Sequence, residues 1–391
     1  MSILYILLAV LFFGFLIFIH ELGHFIVARL CGVKVLEFAI GMGPKILSHQ
    51  SKKSGIRYSL RLLPIGGFVN MLGESGMELA QGSNGAENAS ASQASADGKD
   101  PFFINSTEET KETSAQSPEA APMDPELAKQ AYCNQSVWKR MLISLAGPLM
   151  NILLGFLLMF VLVLVTKDGL GTTVVADFPE GNVSHGFGLE VGDEIVKIGD
   201  SSVHTLYDLN YEISEQGYRA LNVVVLRNGE RVTLENVSFP VAVESNTPFG
   251  LRDFYVYRES NVNFGTLVKH TFWRSYSCVK MVYDSIAGMF TQRYSVDAVS
   301  GPIGITSVIT EAAKTSWLDV LHLLILISVN LGIMNLLPLP ALDGGHLLLY
   351  VIEAIRRKPL KPEIEGIINF IGLVLLLGLA VIICIKDVIA L

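Results

Sequence analysis

The sequence predicts a polytopic α-helical membrane protein of about four transmembrane helices, with a compact β-rich domain inserted between the second and third. Three observations point there. Half of the residues are hydrophobic and only 17% are charged, and the mean hydropathy is +0.45. Four apolar stretches each approach the ~20 residues that cross a hydrocarbon core. Between two of them the apolar runs give way to strand alternation punctuated by Gly-Asp and Asn-Gly turn signals. At 391 residues the chain is also too long for one ordinary domain.

The four stretches are residues 3–28, 141–166, 320–342 and 366–385. No Lys or Arg precedes Arg29, the first run is too long for a signal-peptide core, and no small-residue cleavage site follows it. It therefore reads as a retained transmembrane helix. Orientation follows from basic residues near the helix ends. Arg29, Lys34, Lys45, Lys52, Lys53, Arg57, Arg61, Lys139 and Arg140 lie between the first two spans, and Arg356, Arg357, Lys358 and Lys361 between the last two. Those loops are expected in the cytoplasm, and the N-terminus, residues 167–319 and the C-terminus outside.

In the first loop Ile56, Tyr58, Leu60 and Leu62 alternate with Arg57, Ser59 and Arg61, which is strand periodicity. Pro64-Ile65-Gly66-Gly67 is a turn signal, and residues 68–71 are expected to return as a second strand. Residues 74–125 are rich in Ser, Ala, Glu, Asn and Gly, with little apolar pattern beyond Phe102-Phe103-Ile104, and read as a disordered insert. The outer region opens with a turn–strand–turn at residues 188–200. A helix at Leu206–Gln216, a strand at Leu221–Arg227, a hairpin turn at Asn228-Gly229 and a return strand at 231–234 follow. Phe264–Phe290 mixes apolar and basic residues at helical spacing, as an amphipathic helix on the membrane surface or on the bundle does. The divisions are then 1–72 for the first span and β-loop, 73–135 for the insert and 136–166 for the second span. Residues 167–245 form the β-rich domain, 246–317 the amphipathic linker and 318–391 the last two spans.

Composition excludes some functions. The formal net charge of −8 argues against nucleic acid, which needs a basic surface. Cys31, Cys133, Cys278 and Cys384 are scattered, so neither a disulfide framework nor a cysteine zinc knuckle is present.

The chemistry concentrates in the first span. His20-Glu21-Leu22-Gly23-His24 fits H-E-x-x-H. On a helix, residues i and i+4 share a face, so both imidazoles can reach one ion, with Glu21 beside the water that such a site activates. Zinc accepts these nitrogen and oxygen donors and leaves a position open in catalytic sites. Two His and a Glu inside an apolar span need partners. Two structural histidines bonded to neighbouring helices, or a transporter's proton relay, would also supply them. A third ligand is expected from Asp343, which ends the third span, with His346 as its rival. The first and third spans run in the same direction, so their C-terminal ends share a leaflet. His24 lies five residues before Arg29, about 7.5 Å at helical rise. Pro338 and Pro340 break the helix and Gly344-Gly345 permit a tight turn.

Taken together, H-E-x-x-H in a first transmembrane helix, Asn335-Leu336-Leu337-Pro338-Leu339-Pro340-Ala341-Leu342-Asp343-Gly344-Gly345 in a later one, and a domain between them resembling a PDZ domain look like the bacterial site-2 proteases of the regulator-of-sigma-E protease type. Gly41-Met42-Gly43-Pro44-Lys45, Ser136-Val137-Trp138-Lys139-Arg140, Ala146-Gly147-Pro148-Leu149-Met150-Asn151 and Gly301-Pro302-Ile303-Gly304-Ile305 extend the resemblance over nearly the whole chain outside the insert. The resemblance implies one zinc ion held by His20, His24 and Asp343, with Glu21 as general base. It implies a membrane-re-entrant β-hairpin at Arg57–Met71 on the cytoplasmic side and an extracytoplasmic PDZ-like domain. Asn335 and the hairpin residues Arg57, Tyr58, Ser59, Leu60, Gly66 and Gly67 would hold the substrate backbone, by strand addition at an exposed edge. Gly188, Leu189, Gly192 and Asp193 would form the PDZ-like loop, which binds chain termini or filters by size. Asn151 reads as a helix–helix hydrogen bonder. The expected activity is intramembrane cleavage of transmembrane segments, such as anti-sigma factors or signal-peptide remnants pre-trimmed by another protease, in the bacterial cytoplasmic membrane. The alternative is a non-catalytic PDZ-bearing scaffold. The long polar insert, and one PDZ-like domain where some relatives carry two, depart from the pattern.

Overall fold

The computed structural model describes residues 3–74, 124–244, 247–294, 301–360 and 362–389. The core of the expected insert, 75–123, lies outside them. Among the described residues, four helices have the length and apolarity to cross a membrane: Leu7–Leu30, Val137–Val165, Trp317–Asn335 and Ile364–Asp387. They belong to helices α1 (Ile3–Leu30), α3 (Val137–Val165), α7 (Trp317–Asn335) and α9 (Pro362–Ile389). The third is shorter than the sequence suggests. It stops at Asn335, because Pro338 and Pro340 cannot continue the ladder, and the chain runs irregularly to a separate helix α8 (Asp343–Arg356). Asp343 therefore opens a helix and does not close a span.

The central helix is α3, which packs on α1, α7 and α8. Small residues make the close approaches. A Cβ on Gly23 would sit 2.7 Å from Met150 Cγ, and one on Gly332 would sit 2.8 Å from the Pro148 carbonyl oxygen. Without such residues the backbones could not meet at these distances. Two contacts tie the fourth span to the segment just before α8 and to the start of α6 (Pro302–Thr315). Gly372 stands against Pro340, and the buried Asp387 carboxylate accepts from the Gly304 amide, 2.9 Å, in the first turn of α6.

The cytoplasm-assigned loop holds two long strands, β1 (Val35–Gln50) and β2 (Arg57–Met71). Residues 57–60 and 67–71 do not pair with each other as the alternation suggested. They flank residues 35–40 on opposite sides: Phe38 faces both Tyr58 and Val69, and Ile40 faces both Leu60 and Gly67. Residues 47–50 then cover the outer edge of 57–60, with His49 opposite Tyr58. The end of the expected insert is also ordered. A short helix α2 (Pro125–Lys129) leads to Tyr132, which is buried and hydrogen-bonds Tyr350 of α8 through their hydroxyls, 2.8 Å.

At the far end of α3 the chain enters the β-rich domain. Strands β3 (Gly171–Asp177), β4 (Glu194–Ile198), β6 (Leu221–Arg227), β7 (Glu230–Val237) and β10 (Tyr255–Arg258) form one antiparallel sheet in the order β10-β3-β4-β6-β7. Strand β5 (Ser201–Ser202) pairs with β4, and β8 (Val241–Glu244) with β9 (Thr247–Gly250). Helix α4 (Leu206–Gln216) closes the core with Leu209 and Ile213 on Ile195, Ile198, Val223 and Val225. Asn228 and Gly229 take positive φ of 50° and 86°, the tight hairpin turn their sequence announces. The amphipathic helix α5 (Phe264–Phe290) joins this domain to the bundle. It packs on α3 and α7, and its Asp284 accepts from Tyr211 of α4 at 2.7 Å.

Candidate metal centre

His20 and His24 lie one turn apart on α1 and face α3. Their Nε2 atoms are 3.2 Å from each other. The Asp343 Oδ2 atom is 3.0 Å from the first and 3.4 Å from the second. In a tetrahedral zinc site with ligand bonds of about 2.0–2.2 Å, the ligand atoms stand about 3.3 Å apart. The three donors are thus spaced for one ion.

The protonation of His24 is fixed from behind. His24 Nδ1 lies 2.8 Å from the Ile143 carbonyl oxygen of α3. A carbonyl only accepts, so Nδ1 carries the proton and Nε2 presents a lone pair. That lone pair and a carboxylate oxygen 3.4 Å away repel one another unless a cation sits between them. Zinc satisfies that demand with donors it prefers. Pro148 gives no N–H to the Ser144 carbonyl, which loosens α3 in this turn. Gly147 leaves room for the rings: a Cβ there would stand 2.8 Å from His20 Nε2 and 2.7 Å from His24 Cε1.

Asp343 comes from a different part of the chain. The loop 336–342 folds under α8, and Cβ atoms on Gly344 or Gly345 would collide with its carbonyls, Leu336 and Leu337 for the first and Leu339 for the second. The glycines serve close approach. The left-handed residue of the turn is Ala341, φ 68°. Three contacts from α3 hold α8 in place. Ser144 Oγ donates to the Asp343 carbonyl at 3.1 Å, Arg140 pairs with the buried Glu353 at 2.5 Å, and the Arg140 guanidinium lies over the Tyr350 ring.

A cavity of about 650 Å³ opens on the three donors. Glu21, Asn335 and Gly67 line it, as does His346. His346 is outside the donor cluster and pairs through Nδ1 with Glu365 of α9, 3.3 Å. Of the expected hairpin residues, Gly67 reaches the site: a Cβ on it would stand 2.9 Å from Glu21 Cγ. Arg57, Tyr58, Ser59 and Leu60 have partners on both edges, so no edge remains there for strand addition. The edge beside the cavity belongs to 67–71, where Phe68, Val69 and Met71 join the lining. Gly66 begins this turn with φ 85°. In the β-rich domain Leu189 is core and Gly188 and Gly192 both take φ 93°. Asp193, buried, accepts from Arg227 Nε at 2.7 Å and from the Glu190 amide at 2.9 Å. These four residues build the domain. Asn151, expected as a helix–helix hydrogen bonder, finds its partner on α1: its amide lies 3.4 Å from Nδ1 of His20, one of the three donor residues. Its spacing was the available signal: eight residues after Ile143 and four after Gly147, it shares their face of α3.

A helical His pair and a carboxylate converging on one point, with a glutamate beside them inside an apolar bundle, define a membrane metallopeptidase. The chain belongs to peptidase family M50, the site-2 proteases, whose family model matches residues 8–379. It is 31% identical to the zinc metalloprotease RasP of Bacillus licheniformis and 30% identical to the regulator of sigma-W protease RasP of Bacillus subtilis, each alignment covering 97% of both chains. The zinc metalloprotease RasP of Oceanobacillus iheyensis is 30% identical over the same shares. The protein is a zinc metalloprotease of the membrane, and the non-catalytic scaffold gives way to that conclusion.

Proposed function

We propose that the chain is an intramembrane endopeptidase cleaving transmembrane segments of other membrane proteins, with His20, His24 and Asp343 as its zinc ligands and Glu21 as its general base. The observation that carries this reading is the spacing of the three donors, 3.0–3.4 Å, in a cavity that Glu21 also lines. Bound there, zinc supplies a Lewis acid that polarises the scissile carbonyl and acidifies water. Glu21 takes the proton from the attacking water and returns it to the leaving nitrogen. Asn335 hydrogen-bonds the substrate backbone. A transmembrane helix hides its carbonyls in its own ladder, so the substrate unwinds and is held extended against the edge at 67–71.

The β1–β2 sheet is then the re-entrant element on the cytoplasmic side, and the β-rich domain is an extracytoplasmic PDZ-like module at the opposite end of α3. About 33 Å of helix separates Ile143, beside the site, from Val165. That distance supports a module which restrains bulky substrates before they reach the centre. One relative's name ties it to sigma-W regulation, so anti-sigma factors pre-trimmed by another protease are the first substrates to try, and signal-peptide remnants the second.

The test uses full-length protein in detergent with a single-span model substrate. Wild type cleaves within the span. Glu21→Gln loses at least about 10²-fold in rate, the scale of a general base, and keeps one zinc per chain. Full activity in Glu21→Gln overturns the mechanism.

A further inference from the structure

We infer that Asn151 is a positioning residue for the metal centre, holding the His20 ring through Nδ1 in the tautomer and orientation that ligation through Nε2 requires. The inference rests on the ligand reading above and extends it to a residue outside the ligand set.

Asn151 is fully buried on α3. Its Nδ2 atom lies 3.4 Å from His20 Nδ1, and its Oδ1 is buried with no hydrogen-bond partner among the described residues. Its backbone is held too, because Ser328 Oγ on α7 donates to the Asn151 carbonyl at 2.7 Å. If His20 Nε2 offers its lone pair to zinc, the ring proton sits on Nδ1 and needs an acceptor. With Nδ2 on that side, the amide turns its NH₂ toward that proton, donor against donor. The two ends of an asparagine amide are nearly identical in shape, and the hydrogen-bond network decides between them. Turning the amide by 180° brings the unpartnered Oδ1 to His20 Nδ1–H and leaves Nδ2 where Oδ1 stood. Each ligand imidazole then has its own acceptor on α3, the Ile143 carbonyl for His24 and the Asn151 side chain for His20. A residue that only packed α3 against α1 would need volume and no acceptor.

That difference sets the experiment. Asn151→Leu keeps the branched shape, Asn151→Ala truncates it, and both lack the acceptor; Asn151→Asp keeps an acceptor. Zinc affinity of the full chain in detergent is measured by chelator competition, alongside the visible spectrum of the cobalt-substituted protein and the thermal melt of the apo form. The leucine and alanine variants should bind zinc about 10–100-fold more weakly, the usual cost of losing a partner behind a ligand, with an altered cobalt spectrum. The aspartate variant should stay within a few-fold of wild type. If both acceptor-free variants keep wild-type affinity and spectrum while His20→Ala loses zinc, the inference is wrong and the ligand reading stands. If His20→Ala also keeps its zinc, the ligand reading fails and the inference falls with it.

Discussion

Replacing Gly147 by alanine should empty the metal centre before it unfolds the protein. The new methyl would stand 2.8 Å from His20 Nε2 and 2.7 Å from His24 Cε1. Ordinary contact begins near 3.5 Å, so the His20 ring must retreat by about 0.7 Å and the His24 ring, whose Nε2 stands nearer still, by more. Neither helix can absorb that. On one side Gly23 of α1 already lies against the Ala146 backbone; on the other, Gly332 of α7 lies against Pro148 and Ile152. The rings must therefore move, whereas a functional site tolerates about 0.2 Å in its ligand distances. A misplacement near 1 Å costs on the order of 10²-fold. Overpacking costs the fold about 1–3 kcal/mol, which a protein with about 5–15 kcal/mol of stability survives. Gly147→Ala should thus lose about 100-fold in zinc affinity, and proteolysis with it, while its apo-form melt drops by a few degrees. The assay is chelator competition on detergent-purified protein beside a thermal melt. Wild-type zinc affinity in Gly147→Ala would show that the imidazoles do not stand against α3 when the ion is bound.

Other expectations follow from the same geometry. Asp343→Asn keeps the size of the side chain but removes the anionic oxygen, so zinc content and proteolysis should fall together; His346→Ala should retain zinc, and the opposite pattern in side-by-side metal analysis would make His346 the ligand. Cysteines at Ser51 and Ser202, in the β1–β2 sheet region and the β-rich domain, should label from opposite faces of the membrane, with Ser51 cytoplasmic; labelling from one face refutes the arrangement of spans. Asp193→Ala leaves Arg227 Nε and the Glu190 amide without their acceptor and should cost about 2–4 kcal/mol in the β-rich domain, read as earlier proteolytic nicking there, with zinc content unchanged.

Much of this protein is written locally. The spans are continuous apolar runs that need no partner to be recognised, because the bilayer itself selects them. The H-E-x-x-H face follows from the 3.6-residue period alone. The helix at Leu206–Gln216 and the Asn228-Gly229 turn of the β-rich domain are likewise local choices, and both stand where the pattern put them. Three things were not legible. Strand β1 was missed, and with it the pairing of the sheet: alternation marks a strand but does not name its neighbours, so residues 57–60 looked like an open edge although they are covered on both sides. Asp343 read as the last residue of a span, whereas α7 ends at Asn335 and the aspartate starts a new helix. The prolines announced the break but not its position.

The sequence by itself determined the class of chemistry, because two imidazoles and a carboxylate are too costly in an apolar helix to lack a purpose. Only the tertiary structure decided how that chemistry is held. Asp343 is 319 residues from His24 along the chain, and their approach to 3.4 Å depends on α3 standing between α1 and α8. Helix α3 gives its Ile143 carbonyl to one ring, its Asn151 side chain to the other and the bare backbone of Gly147 to both. None of these contacts has a local signature, since each depends on where a second helix crosses. Helix crossing is set by packing over the whole bundle, and no window of sequence contains it.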